Sequence, residues 1–366
     1  MDSGLSLGKL FGIRLRLHYS WFVIFLLVTI FLALDVFPHG LPLRSAAQYW
    51  LMGALTSLLF FVSVLIHELA HSIIGQANGI PVGTITLFFF GGGAAFSKDP
   101  ERPAAELRMA IAGPLSSLAL AGFFYFIYRS SFGARELAII TLWLAQINLI
   151  VAAFNLLPGL PLDGGRVLRA AVWHRTGSLE RATRVAAIAG RVLGYLFIAA
   201  GVLIIPVYGD WLGGIWLGLL GWFVADTAAN SERQFRLQQL LKGASVAQVM
   251  TDCLRVDSET TVSQLKKTYP PDRCFLVTRE GKAISYLMAN KLKTEKPEAG
   301  IAGIAVPLDA LPRTTTDRDA LSVARQLYES GRDEVAVYDG DNLIGLVTLD
   351  SLIAFANNNQ SDKAKT

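Results

Sequence analysis

The sequence is short of charge. Only 17% of its 366 residues are Asp, Glu, Lys or Arg, against 52% hydrophobic, and the mean hydropathy is +0.43. That scarcity excludes an ordinary soluble domain and calls for several membrane spans. The net charge of +4 is modest. Long basic runs interleaved with aromatics are missing, so nucleic acid is not an implied partner. Cysteine is nearly absent too. Cys253 and Cys274 lie in the polar C-terminal part without CxxC spacing, which argues against a disulfide framework and against a cysteine metal site. The N-terminal stretch has no small-residue cleavage site, so the first apolar run reads as a retained span.

What the sequence does have is six apolar segments, each near the roughly 20 residues a helix needs to cross a bilayer. Their approximate limits are 19–37, 48–73, 107–128, 136–157, 184–206 and 211–229. A shorter, Gly-broken stretch, "PVGTITLFFFGGGAAF" (81–96), reads as a re-entrant hairpin at the membrane face. With the N-terminus in the cytosol, inside segments hold fourteen Lys and Arg residues and outside segments only Arg44, Arg129 and Arg135. That bias sets the orientation. The even span count returns the C-terminus to the cytosol, where reduced cysteines are expected.

Ionisable groups are costly at lipid depth and mark function. The second span nevertheless ends in "LIHELAHSIIG", with His67, Glu68 and His71. Residues four apart share one helix face, so the two imidazoles can reach one metal ion. H-E-x-x-H is the zinc metalloprotease pattern, with the Glu acting on water. Zinc there takes a third protein ligand and leaves a fourth position open. Asp163, in "NLLPGLPLDGG" after the fourth span, is a candidate. His67 and Asn155 each lie about 19 residues from the outer end of their spans, roughly 28 Å deep at 1.5 Å per residue. Both are thus near the cytosolic face, with Asp163 a short loop away. Glu101 and Glu106 are rival third ligands in the charged flank before span three. His18, His39 and His174 read as non-ligands.

From about residue 243 the composition turns soluble. "CFLVTREGKAISYL" (274–287) aligns with "EVAVYDGDNLIGLV" (334–347), each a strand–turn–strand preceded by a helical stretch. The tail at 358–366 is polar and reads as disordered.

Together, "HELAH" and "NLLPGLPLDGG" resemble the site-2 protease family of intramembrane zinc metalloproteases over residues 1–230. "GGG" at Gly91, Gly92 and Gly93 and "AGP" at Ala112–Pro114 are similar to family features. The resemblance implies one zinc ion per chain on His67, His71 and Asp163, with Glu68 as the general base. It also implies cleavage of a single-span membrane protein within or beside its transmembrane segment. Asn155 is implied to bond the substrate or the oxyanion; an interhelical hydrogen bond is its other reading. The hairpin either presents a strand edge at Gly91–Gly93 to unwound substrate or seals the cytosolic mouth.

Residues 243–300 and 301–357 resemble two CBS repeats. The second carries Gly345, Thr348 and Asp350, close to the run used for adenine nucleotides, whereas the first has "SYLMANKL" there. The pair is expected to gate the protease, to bind nucleotide or to support a homodimer. The fold expected is therefore a polytopic α-helical membrane domain of about six spans with a re-entrant hairpin, plus a cytosolic α+β tandem CBS domain. A metal transporter regulated by such a pair, or a non-proteolytic metal-binding membrane protein, is the competing reading.

Overall fold

The computed structural model describes residues 4–89, 91–96, 100–269, 274–279, 282–288, 292, 298–308, 311–330, 333–340 and 342–355. The expected disordered tail lies outside these residues. The chain divides into two compact units, 2–233 and 234–366.

Among the described residues, six helical segments are long and apolar enough to span a membrane, the last of them running past residue 233. The first comprises α1 (Ser20–Phe31), a π-helical turn and α2 (Phe37–Gly40). The others are α3 (Ala46–Ala77), α4 (Pro103–Ser130), α5 (Arg135–Asn155), α7 (Leu179–Tyr208) and α8 (Trp211–Leu241). Between α5 and α7 lies a shorter helix, α6 (Asp163–Thr176). The ends follow local chemistry. Ser45 and Gln48 form a reciprocal capping box at the start of α3. Pro103 opens α4. Gly177 and Gly209 close α6 and α7 in left-handed conformations that a Cβ would disfavour. Leu32, Phe37, Met52, Phe124, Ile140 and Leu144 form the core where the first span, α3, α4 and α5 meet.

A four-stranded sheet lies against α3. Its order is β1 (Gly4–Leu10), β2 (Ile13–His18), β3 (Val82–Phe88) and β4 (Gly91–Phe96). The hairpin expected at 81–96 is β3–β4. It is joined in parallel to β2 through Arg14–Leu17 opposite Thr84–Leu87. The N-terminal strands were not expected, although "IRLRLH" alternates as a half-buried strand should. Ile13, Leu15, Val82 and Ile85 pack on Leu69 of α3. Leu17, Trp21 and Leu87 pack on Phe61.

The second unit is an α+β domain. It contains α9 (Val246–Val249), β5 (Thr251–Asp257), α10 (Val262–Thr268), β6 (Cys274–Arg279), β7 (Lys282–Met288), β8 (Val306–Pro307), β9 (Arg313–Thr315), α11 (Ala320–Ser330), β10 (Glu334–Asp339) and β11 (Asn342–Thr348). The sheet order is β8-β7-β6-β5-β11-β10-β9. The two aligned sequence stretches are its two hairpins, β6–β7 and β10–β11, each preceded by a helix. One expectation fails. Cys253 and Cys274 are joined in a disulfide rather than free. Parallel pairing of β5 and β6 sets the two residues opposite each other, with Cα atoms 4.5 Å apart, a register that reading by cysteine spacing could not supply.

Candidate metal centre

α3 brings His67 and His71 onto one face, as their spacing requires, and buries both. α5 ends at Asn155, and the loop 156–162 turns the chain back. Leu160 N donates to Ala186 O of α7 at 3.1 Å. Gly159 lies so close to Gly190 that a methyl on it would stand 2.6 Å from the Gly190 Cα. Gly164 and Gly165 likewise lie against the backbone of Leu156 and Gly159, with no room for side chains. The glycines of "LDGG" are thus needed for close approach. The fold-back delivers Asp163, the first residue of α6, to the histidine pair.

There, His67 Nε2 and His71 Nε2 are 3.1 Å apart, and Asp163 Oδ2 lies 3.2 and 3.0 Å from them. The other ring nitrogens are engaged. His71 Nδ1 donates to Met109 O at 2.7 Å, and His67 Nδ1 bonds Ser117 Oγ at 2.9 Å. Both partners belong to α4. With Nδ1 carrying the proton, each Nε2 presents a lone pair to the same point. Three lone-pair atoms meeting this closely fit a shared cation. Ligands about 2.0–2.1 Å from one tetrahedral zinc stand roughly 3.3 Å from each other. Among the described residues, this trio is the group of His, Cys, Asp or Glu side chains able to hold a metal.

Two glycines frame the site. A methyl on Gly113 of α4 would lie 2.6 Å from His67 Nε2 and closer still to His71 Nε2. A methyl on Gly92 of β4 would lie 3.0 Å from Cδ of Glu68. The edge strand therefore runs directly over the Glu68 carboxylate. Gly91 and Gly93 continue that strand. Asn155, half-buried at the end of α5, donates Nδ2 to Val151 O at 3.0 Å.

The rival ligands are placed elsewhere. Glu101 is exposed, and Glu106 is fully buried in an ion pair with Arg169. His18 bonds Ser20, and His39 bonds the Asp35 carbonyl. In the second unit, Thr348 is buried and its hydroxyl accepts from Ser351 N at 3.0 Å, while Asp350 is exposed. Sequence reading missed Gly113, Ser117 and the Met109 carbonyl. Only "AGP" hinted at the first, and a backbone carbonyl leaves no mark in a sequence.

A buried His–His–Asp group beside a glutamate, with both histidines on an apolar spanning helix, defines a membrane-embedded metallohydrolase. The model of peptidase family M50 matches residues 55–140 and 133–200. A Mycobacterium tuberculosis protein, provisionally named zinc metalloprotease Rip3, is 33% identical over 95% of this chain and 91% of its own length. A Synechocystis protein, provisionally named zinc metalloprotease sll0528, is 39% identical over 66% of this chain and 63% of its own. Among solved structures, the site-2 protease from Methanocaldococcus jannaschii is 30% identical, covering 63% of this chain and 95% of that one with a TM-score of 0.44. The chain belongs to peptidase family M50 and is an integral-membrane zinc metalloprotease of the site-2 type.

Proposed function

We propose that His67, His71 and Asp163 hold one zinc ion per chain and that the enzyme cuts a single-span membrane protein within or beside its transmembrane helix. The observation that carries this reading is the meeting of both Nε2 atoms and Asp163 Oδ2 at 3.0–3.2 Å, with Glu68 on the same helix. A zinc ion held by these three residues would polarise the scissile carbonyl and acidify water. Glu68 takes the proton from the attacking water and passes it to the leaving amine nitrogen. Asn155 spends one N–H on Val151 and has a second for the substrate carbonyl.

A helical substrate hides its backbone and must unwind before attack. β4 is the edge of its sheet, and an edge offers unpaired N–H and C=O groups to an added strand. Gly91, Gly92 and Gly93 keep that approach free of side chains, with Glu68 underneath. Crosslinks from Gly91 to a trapped substrate support this role. Crosslinks confined to Asn155 would make the hairpin a seal instead.

The Lys and Arg distribution supports a cytosolic place for both termini. The second unit follows span six in the chain, and its paired hairpins suit a tandem CBS module over 243–300 and 301–357. It would gate the protease, with an adenine nucleotide near Thr348 and Asp350, or support a homodimer. Calorimetry of the full chain with AMP, ADP and ATP separates these: no heat leaves the dimer reading. A transporter would spread metal-binding side chains along a path, whereas the described residues offer one cluster.

The test is cleavage of a model single-span substrate in vesicles. The wild type should cut, lose activity on chelation and regain it with zinc. Cleavage that survives complete metal removal would sink the reading.

A further inference from the structure

We infer that the buried ion pair between Glu106 of α4 and Arg169 of α6 is a positioning device for the metal centre, setting how tightly Asp163 closes on its ion. This rests on the ligand assignment proposed above. Glu106 is fully buried and the Arg169 side chain is only 12% exposed. Arg169 Nε donates to Glu106 Oε1 at 2.6 Å, and its Nη2 reaches the same oxygen. Glu106 Oε2 is buried without a hydrogen-bond partner among the described residues.

Taking two charges out of water costs more than a packed apolar contact of the same volume, so a buried pair is a poor choice for stability alone. Its directional bonds fix orientation and register instead. The two helices it joins are the two that complete the centre. α4 carries Met109 O, which orients His71, Gly113, which fits between the rings, and Ser117, which bonds His67. Glu106 lies one turn before Met109. α6 carries Asp163 at its first position, and Arg169 lies six residues on, about 9 Å along the axis. The start of α6 is held by the loop 156–162 against α7. A helix fixed at one end can still roll about that end. The Glu106–Arg169 pair stops this roll and holds the carboxylate of Asp163 toward the imidazoles.

The experiment uses the full chain in lipid nanodiscs, stripped of metal, with Co²⁺ as the probe. Its absorption bands report the coordination sphere, and chelator competition gives the affinity. The Glu106→Met/Arg169→Met double variant replaces the pair by apolar contacts. It should unfold near the wild-type temperature in metal-free form, yet bind Co²⁺ about 10- to 100-fold more weakly with altered bands. Arg169→Lys, which keeps the charge and loses the fork, should fall between. Wild-type affinity and spectrum in either folded variant would overturn the inference. Should the double variant fail to fold, Arg169→Lys carries the decision. Asp163→Asn is the control: loss of Co²⁺ there with wild-type binding in the pair variants defeats the positioning role alone, and retention there defeats the ligand assignment itself.

Discussion

The two units bury polar groups in opposite ways. In the first, the described buried side chains include His67, His71, Glu106, Ser117, Asn148 and Asp163. In the second they are Ser285, Thr314 and Thr348, with no charged side chain among them, around cores such as Leu265, Phe275 and Leu287. Burying an ionisable group is costly anywhere. The membrane unit nonetheless brings His67, His71 and Asp163 to one point, whereas the second unit holds together by apolar packing. Catalysis and architecture are thus spatially sorted, and substitutions in the two units should fail in different ways.

The sharpest test of that contrast is Glu68→Gln. It should lower cleavage by about 10²–10⁴-fold while bound zinc, measured by elemental analysis of purified protein, stays at the wild-type level. Loss of metal would show that Glu68 shapes the site rather than serving the chemistry. Next, Phe275→Ala in the second unit should destabilise that unit by about 3–5 kcal/mol, read from its denaturant unfolding, with Co²⁺ affinity unchanged. A parallel loss of metal would mean that the two modes of burial are energetically linked. Gly113→Ala should weaken metal binding by about 100-fold, since the added methyl overlaps both imidazole Nε2 atoms and forces them apart. The smallest effect expected is from Gly92→Ala. It should slow cleavage about tenfold through pressure on Glu68, by analogy with other modest overpacking, and leave zinc content alone.

Much of this was legible in advance because lipid makes polarity informative. Each span announced itself by length, and His67, Glu68 and His71 stood out against an apolar helix. Asp163 could be reached because prolines and glycines mark where a chain must turn. What stayed hidden was what depends on neighbours. Strands β1 and β2 pair with each other and, through β2, with β3 about 65 residues on, a long-range partnership that no local pattern announces. Ser117 and the Met109 carbonyl are ordinary residues until α4 packs beside α3. Glu106 looked like an interfacial charge until Arg169 arrived from α6, two helices on. The Cys253–Cys274 bond likewise follows from strand register, which cysteine counting does not encode.

The contact of the loop at Gly159 with Gly190 has a wider implication. Span five brings no side chain to the His67–His71–Asp163 group, yet its backbone is the wall against which the loop leading to Asp163 is braced. Space for a single methyl is missing there. Mutational intolerance in this enzyme should therefore extend to a bare helical surface with no chemistry of its own, and a scan of α7 would find at Gly190 a loss that no reacting group explains.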